Sequence, residues 1–202
     1  VDMFSGTNWE GDDTILLTPE YPGAIQRLPA AGGTPQPVTE LDPKKEDFLH
    51  YWPQLLPGGK AVLFSSSRSG IDSYDDARIE VQSLATGERR VLVEGGTCAR
   101  YSPTGHIIYT RAGTLLAVPF NPARLAVTGP PVPVLEGVLM GLSHPTAHYS
   151  LSDNGTLVYA PGTGVGGERT VVWVDRQGNA ERLPLSPRMY LHPRLSPDGR
   201  QI

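Results

Sequence analysis

Apolar residues in this chain come in short alternating runs, and the runs recur. Ala61-Val62-Leu63-Phe64, Ile107-Ile108-Tyr109 and Leu157-Val158-Tyr159 are each of strand length, and each follows a turn of one kind. The turns are Pro57-Gly58-Gly59, Ser102-Pro103-Thr104-Gly105 and Ser152-Asp153-Asn154-Gly155; Ser196-Pro197-Asp198-Gly199 leads towards Ile202 in the same way. A degenerate copy, Glu10-Gly11-Asp12-Asp13, precedes Ile15-Leu16-Leu17, with aspartate at the glycine position. Positions 13, 59, 105, 155 and 199 lie 46, 46, 50 and 44 residues apart. No segment sustains a 3.6-residue apolar period over about ten residues, so helix is expected to be nearly absent.

The turn residues explain the recurrence. Proline presets φ for the second position of a tight turn, and Asn or Asp followed by Gly tolerates the positive φ that closes a hairpin. Each copy therefore reads as strand, hairpin, strand. A third strand is predicted at Ala24–Leu28, Arg78–Leu84, Leu115–Phe120 and Thr170–Val174, and a fourth at Pro37–Leu41, Arg89–Val93, Val132–Leu135 and Ala180–Leu183. Prolines 37 and 133 fit a fourth strand because an edge needs fewer backbone donors. Four strands per period of this length define a blade, so the chain is expected to be all-β, a partial β-propeller of four-stranded antiparallel blades. The expected blades are 3–41, 50–95, 98–136 and 147–185, with 191–202 opening the next, within one incomplete propeller domain truncated at both ends.

Within each first strand, Trp9, Leu55, Tyr101, Leu151 and Leu195 form an apolar column expected in the core between blades. Their neighbours Asn8, Gln54, Arg100, Ser150 and Arg194 form a polar column, expected at the channel or a solvated edge.

Composition agrees with many short strands: of 202 residues, 23 are Gly and 20 Pro, while 39% are hydrophobic and 19% charged. A net charge of −4, with no basic run longer than Lys44-Lys45 or Arg89-Arg90, argues against nucleic acid as a partner. The apolar runs fall far short of the ~20 residues that span a bilayer as a helix, so no membrane insertion is expected of this segment. A single cysteine, Cys98, forbids an internal disulfide and a multi-cysteine zinc site, and is read as a small buried hydrophobe.

Ser196-Pro197-Asp198-Gly199, Ala85-Thr86-Gly87-Glu88 and Trp173-Val174-Asp175-Arg176-Gln177-Gly178 resemble the TolB-like, WD40-like propeller repeats of bacteria. Tyr101-Ser102-Pro103-Thr104-Gly105-His106, Gly113 to Phe120 and Gly155-Thr156-Leu157-Val158-Tyr159 are similar, more narrowly, to the propeller region C-terminal to bacterial serine/threonine protein kinase domains. The resemblance implies a non-catalytic sensing or scaffolding segment of a larger protein, in a periplasmic or extracytoplasmic setting. Related blades also accompany prolyl-oligopeptidase-like peptidases and form TolB-like envelope scaffolds. The family supplies no catalytic residues within such blades.

The residues themselves offer little chemistry. A Gly-x-Ser-x-Gly elbow and the kinase signatures are missing from the sequence, so no enzyme is expected within the chain. Gly162-Thr163-Gly164-Val165-Gly166-Gly167 lies between two predicted strands and reads as a hairpin loop, since no helix follows to cradle a phosphate. Asn154-Gly155-Thr156 reads as a hairpin turn before a glycosylation site. Asp72, Asp75 and Asp76 read as a solvated acidic loop, with calcium as the lesser alternative; no other metal and no cofactor is expected. His148 and His192, with His144 and His50 in inter-blade connections, read as polar loop or channel-mouth residues. Arg100 and Arg194 either give the channel mouth a positive charge suited to an anion or pair with carboxylates of neighbouring blades. Binding of a protein or small-molecule ligand is expected on the long connections Ser65–Ala77, Ala160–Arg169, Asp42–Tyr51 and Gly137–His148, with Arg68 among the candidates. The remaining blades of the same propeller are the other expected partner.

Overall fold

The computed structural model describes residues 6–10, 13–71, 73–141, 146–162, 170–186, 194–196 and 199. They form seventeen strands in four antiparallel sheets, each built outward from its first strand. The first sheet runs β1 (Thr7–Glu10), β2 (Thr14–Leu17), β3 (Gln26–Pro29), β4 (Gln36–Pro37). The second runs β5 (Asp47–Leu55), β6 (Ala61–Arg68), β7 (Arg78–Ser83), β8 (Arg89–Glu94). In the third, β9 (Thr97–Ser102), β10 (His106–Arg111) and β11 (Thr114–Asn121) are completed by β12 (Ala126–Val127), with β13 (Val132–Leu135) also on β11. The fourth runs β14 (Tyr149–Leu151), β15 (Leu157–Tyr159), β16 (Val172–Val174), β17 (Ala180–Arg182). These are blades of a β-propeller, as the repeat requires. Among the described residues, helix is confined to two 3-10 turns, Pro43–Lys45 and Tyr74–Asp76, and no helix is long and apolar enough to cross a membrane.

The turn column repeats at the level of single torsion angles. Asp13 has φ 59°, and Gly59, Gly105, Gly155 and Gly199 have φ 67°, 82°, 85° and 68°. In the last four, the glycine N–H donates to the carbonyl three residues back, at Leu56, Ser102, Ser152 and Ser196, over 2.8–3.0 Å. Ser102 and Ser152 are buried, and Ser152 Oγ accepts from the Thr156 N–H at 3.0 Å. The serine of the motif is thus an internal turn brace. Asn154 Oδ1 accepts from the Thr156 N–H and hydroxyl, at 3.1 and 2.9 Å, so that this side chain is occupied within its own turn.

Chain contacts divide the molecule into two compact units, Val1–Ala99 with Pro122–Ala126, and Arg100–Asn121 with Val127–Ile202. Within the first, Leu16, Ile25, Val62 and Phe64 form a buried cluster between the first two sheets, against which Val38 and Leu55 pack. Within the second, Ile107, Tyr109, Leu115, Val118 and Phe120 are buried in the third sheet and Val158, Val172 and Val174 in the fourth.

One expectation about the first strands needs correction. Trp9 is 67% exposed, while Leu55, Tyr101, Leu151 and Leu195 are half-buried, so the apolar column is not uniformly core. The polar column adds a role that alternation does not predict, hydrogen bonding to the backbone of the next repeat. Asn8 Oδ1 accepts from the Leu55 N–H at 3.1 Å, and Ser150 Oγ accepts from the Leu195 N–H at 3.4 Å. Asn8 thereby ties β1 to β5, and Ser150 ties β14 to the backbone at Leu195. A side-chain acceptor satisfies a backbone donor that the strand pairing leaves over.

Candidate functional site

β6 is buried along nearly its whole length, so its polar residues Ser65, Ser66 and Ser67 lie inside the protein. A polar group there is costly without partners. The second sheet supplies them through an ion network to which all four of its strands contribute. Ser66 on β6 donates a short hydrogen bond to Glu80 Oε1 on β7. Glu80 Oε2 lies 2.8 Å from Arg89 Nε on β8, and Arg89 Nη2 lies 2.5 Å from Asp47 Oδ2 on β5. The side chains of Glu80 and Asp47 are 1% exposed and that of Arg89 8%.

His50, also on β5 and fully buried, closes the network. Its Nε2 is 3.1 Å from Arg89 Nη1 and 3.5 Å from Asp47 Oδ2. A guanidinium donates only, so the shorter contact requires a lone pair on Nε2 and places the ring proton on Nδ1. Nδ1 is 2.8 Å from Thr39 Oγ1, which also accepts from the Ile25 N–H at 3.0 Å. A second ring proton would have Asp47 Oδ2 as its acceptor. Thr18 Oγ1 donates to the His50 carbonyl at 2.7 Å, tying β5 to the first sheet.

Asp47 sets the electrostatics. Burial by itself raises its carboxyl, but hydrogen bonding with His50 and Arg89, together with the Asp42 N–H at 3.1 Å, holds it well below the usual carboxylate range. Its other oxygen, Oδ1, makes no hydrogen bond and has the Arg78 guanidinium 4.0 Å away. Arg78 also lies 3.4 Å from the exposed carboxylate of Glu94, so three carboxylates and two guanidinium groups are linked through the network. Its acids are engaged by cations, which suits it to holding conformation.

What it holds is the wall of a groove. The segment from Pro37 to Lys45 and the edge at Gln82, Gly87 and Arg89 line an open groove of about 670 Å³. Arg89 reaches across it, its Nη1 donating to the Glu40 carbonyl at 3.3 Å, and Gln82 Nε2 donates to the Val38 carbonyl at 2.7 Å. Asp42 caps the 3-10 turn by accepting from the Lys44 N–H at 2.9 Å, and Lys45 Nζ approaches its carboxylate at 4.0 Å. Glu40, Asp42 and Lys45 therefore present both signs of charge beside Pro37, Val38 and Leu41. This site was half legible. The connection Asp42–Tyr51 is a candidate loop in the sequence, but β5 begins at Asp47, and His50 is a strand residue inside the protein. The long-range pairing of Asp47 with Arg89 leaves no sequence signal, because it depends on how β5 and β8 sit across one sheet.

The other candidate residues are dispersed. Arg68 is exposed at the end of β6. Asp75 is half-buried and Asp76 exposed on the 3-10 turn after Ser73, whose Oγ accepts from the Asp75 N–H at 3.1 Å. Asp72, His144 and His192 lie outside the described residues, as does most of the Gly162–Gly167 loop. Among the described residues, no three His, Cys, Asp or Glu side chains gather as metal ligands. His148 is buried and its backbone pairs with Leu139 and Ala160. Arg100 is half-buried on β9 and Arg194 exposed, and neither is without a partner. Cys98 is buried, with φ 55°.

The architecture places the chain among β-propeller proteins, and comparison with solved structures sharpens this. TolB from Acinetobacter baumannii matches 98% of the chain at 20% identity with a TM-score of 0.68, over 47% of its own length. Regucalcin from Agrobacterium tumefaciens, described as a calcium-binding protein, matches 90% of the chain at 17% identity and a TM-score of 0.59, over 60% of its length. A puromycin-hydrolysing peptidase from Mycobacterium tuberculosis matches 89% of the chain at 15% identity and a TM-score of 0.53, over 37% of its length. The fold is therefore TolB-like, and the chain spans about half the length of that TolB. No family model matches the sequence, and neither does any curated protein.

Proposed function

We propose that this chain is a non-catalytic binding segment of a longer propeller protein, and that the groove between Pro37–Lys45 and the Gln82–Arg89 edge receives a polar ligand or an extended stretch of a partner protein. The observation that carries this reading is the buried Asp47–Arg89–Glu80 network beneath the groove. It fixes a wall that would otherwise be a surface connection, and a preformed concave site with a few placed polar groups suits recognition. Screening the full-length protein by thermal shift against polar oligopeptides and oligosaccharides tests it. A hit should raise Tm in the wild type and lose that effect in Glu40→Arg and in Lys45→Glu. Hits that survive both substitutions would overturn the assignment of the groove.

At a finer level, the segment serves as the sensor region of a receptor-like serine/threonine kinase. The resemblance carried by Tyr101 to His106, Gly113 to Phe120 and Gly155 to Tyr159 supports this. The likeness to part of a peptidase supports a second reading, in which the blades gate a hydrolase domain. Full-length protein incubated with ATP should phosphorylate serine or threonine under the first reading. Hydrolysis of short peptides without phosphate transfer would select the second.

A further inference from the structure

Tyr21, Phe48 and Tyr74 are remote in sequence, on the β2–β3 connection, the start of β5 and the 3-10 turn between β6 and β7, yet their rings gather. Tyr21 and Phe48 meet edge to face with ring centroids 5.3 Å apart, and the Tyr74 hydroxyl is hydrogen-bonded with Tyr21. Tyr74 in turn meets the fully buried Tyr51 edge-on at 6.0 Å, which roots the cluster in the second sheet. Burial and the bond with Tyr21 push the Tyr74 hydroxyl up to about 12, so this ring stays neutral. The backbones that carry the rings are tied together as well. Gly23 bridges Leu49, its carbonyl accepting from the His50 N–H at 2.9 Å, and the Ser69 N–H donates to the Glu46 carbonyl at 3.1 Å. Such a surface is preformed, and little ordering is left to oppose binding.

Each ring has a carboxylate beside it in the chain: Glu20 before Tyr21, Glu46 two residues before Phe48, and Asp75 and Asp76 after Tyr74. Tyr21 is 43% exposed, and Glu20, Glu46 and Asp76 are exposed around it and its partners. Residues 18–24, 46–48 and 69–76 contain no Lys or Arg. Of the cations that border them, Lys45 approaches Asp42 at 4.0 Å and Arg68 ends β6. The face of an aromatic ring is negative and attracts a cation, and carboxylates nearby add to that attraction. A guanidinium suits both, since it stacks flat on a ring while its N–H groups reach carboxylates. We infer that this aromatic and acidic surface binds an arginine-bearing segment of a partner protein. None of the three rings lines the groove, so the two sites are independent.

Titrating the full-length protein into a fluorescent Arg-Gly repeat peptide, followed by anisotropy, tests the inference. Binding should be saturable, weaken with added salt and be absent for a Glu-Gly repeat. Tyr21→Phe, which keeps the ring, should leave affinity nearly unchanged, whereas Tyr21→Leu and Asp76→Asn should each weaken it several-fold. No saturable binding of the arginine peptide would overturn the proposal. So would equal affinity in Tyr21→Leu and Tyr21→Phe, which would leave charge without a role for the ring. Loss of binding in the groove variant Glu40→Arg, with Tyr21→Leu unaffected, would assign the peptide to the groove and overturn the aromatic surface alone.

Discussion

Arg89 touches two buried carboxylates and a histidine, so its removal leaves several charges or polar atoms without their partner. Stripping one member from a buried ion network costs about 3–5 kcal/mol, because the remaining charge stays desolvated. Arg89→Met should therefore lower unfolding stability by about 3 kcal/mol in urea titrations. A loss below about 1 kcal/mol would mean the network is as weak as a surface pair. Asp47 gives the pH dependence. Its folded carboxyl titrates below the usual range, and the unfolded one near about 4. The folded state therefore binds fewer protons over that interval, and the stabilisation is complete above about pH 5 and lost as pH falls through the folded value. The stability gap between wild type and Asp47→Asn should be constant from about pH 7 to 5 and narrow below about pH 4, measured by urea unfolding. A gap unchanged at pH 3 would contradict the pairing. None of this was readable in sequence: Asp47 lies in a predicted connection, Glu80 inside a predicted strand and Arg89 at the start of another, and only the sheet brings them together.

At the scale of the element, the repeat was legible because it is written in turn residues, whose torsion angles are local. Asp13 shows how far that goes, since its place in the period predicts the left-handed conformation it adopts. Gly105 has the same conformation, and an added Cβ would meet only the Phe120 carbonyl, at 4.0 Å, so Gly105→Ala reports backbone strain alone. It should cost about 1–2 kcal/mol, whereas Asp13→Gly should be neutral or slightly stabilising. Chemical denaturation of both variants checks the pair, and equal costs would show that position 13 is not equivalent. What the pattern could not give was the use of the polar column. Alternation says that Asn8 and Trp9 face opposite ways but not which backbone group the polar side chain meets. The tie has a measurable consequence. Ser150→Ala and Asn8→Ala should each cost about 1 kcal/mol, with the exchange of the Leu195 and Leu55 amides accelerated respectively. Unchanged exchange at those two amides would remove the tie from the account.

For the whole molecule, the sequence yields the all-β class, the blade period and most strand positions, because each repeat carries its own punctuation. Val132–Leu135 was placed to the residue, and Arg78, Arg89 and Ala180 as strand starts. The groove was less legible, since its walls come from the end of one repeat and the outer edge of the next. The central claim is that the sequence period is a physical period of four-stranded blades. Hydrogen–deuterium exchange of the intact protein, read strand by strand, tests it most directly. The account predicts slow exchange in β5–β7, β9–β11 and the corresponding strands of the first and fourth sheets, with faster exchange at the outer strands β4, β12 and β17, so that protection rises and falls once per repeat. Protection without that recurrence, or a β6 that exchanges as fast as β4, would contradict it.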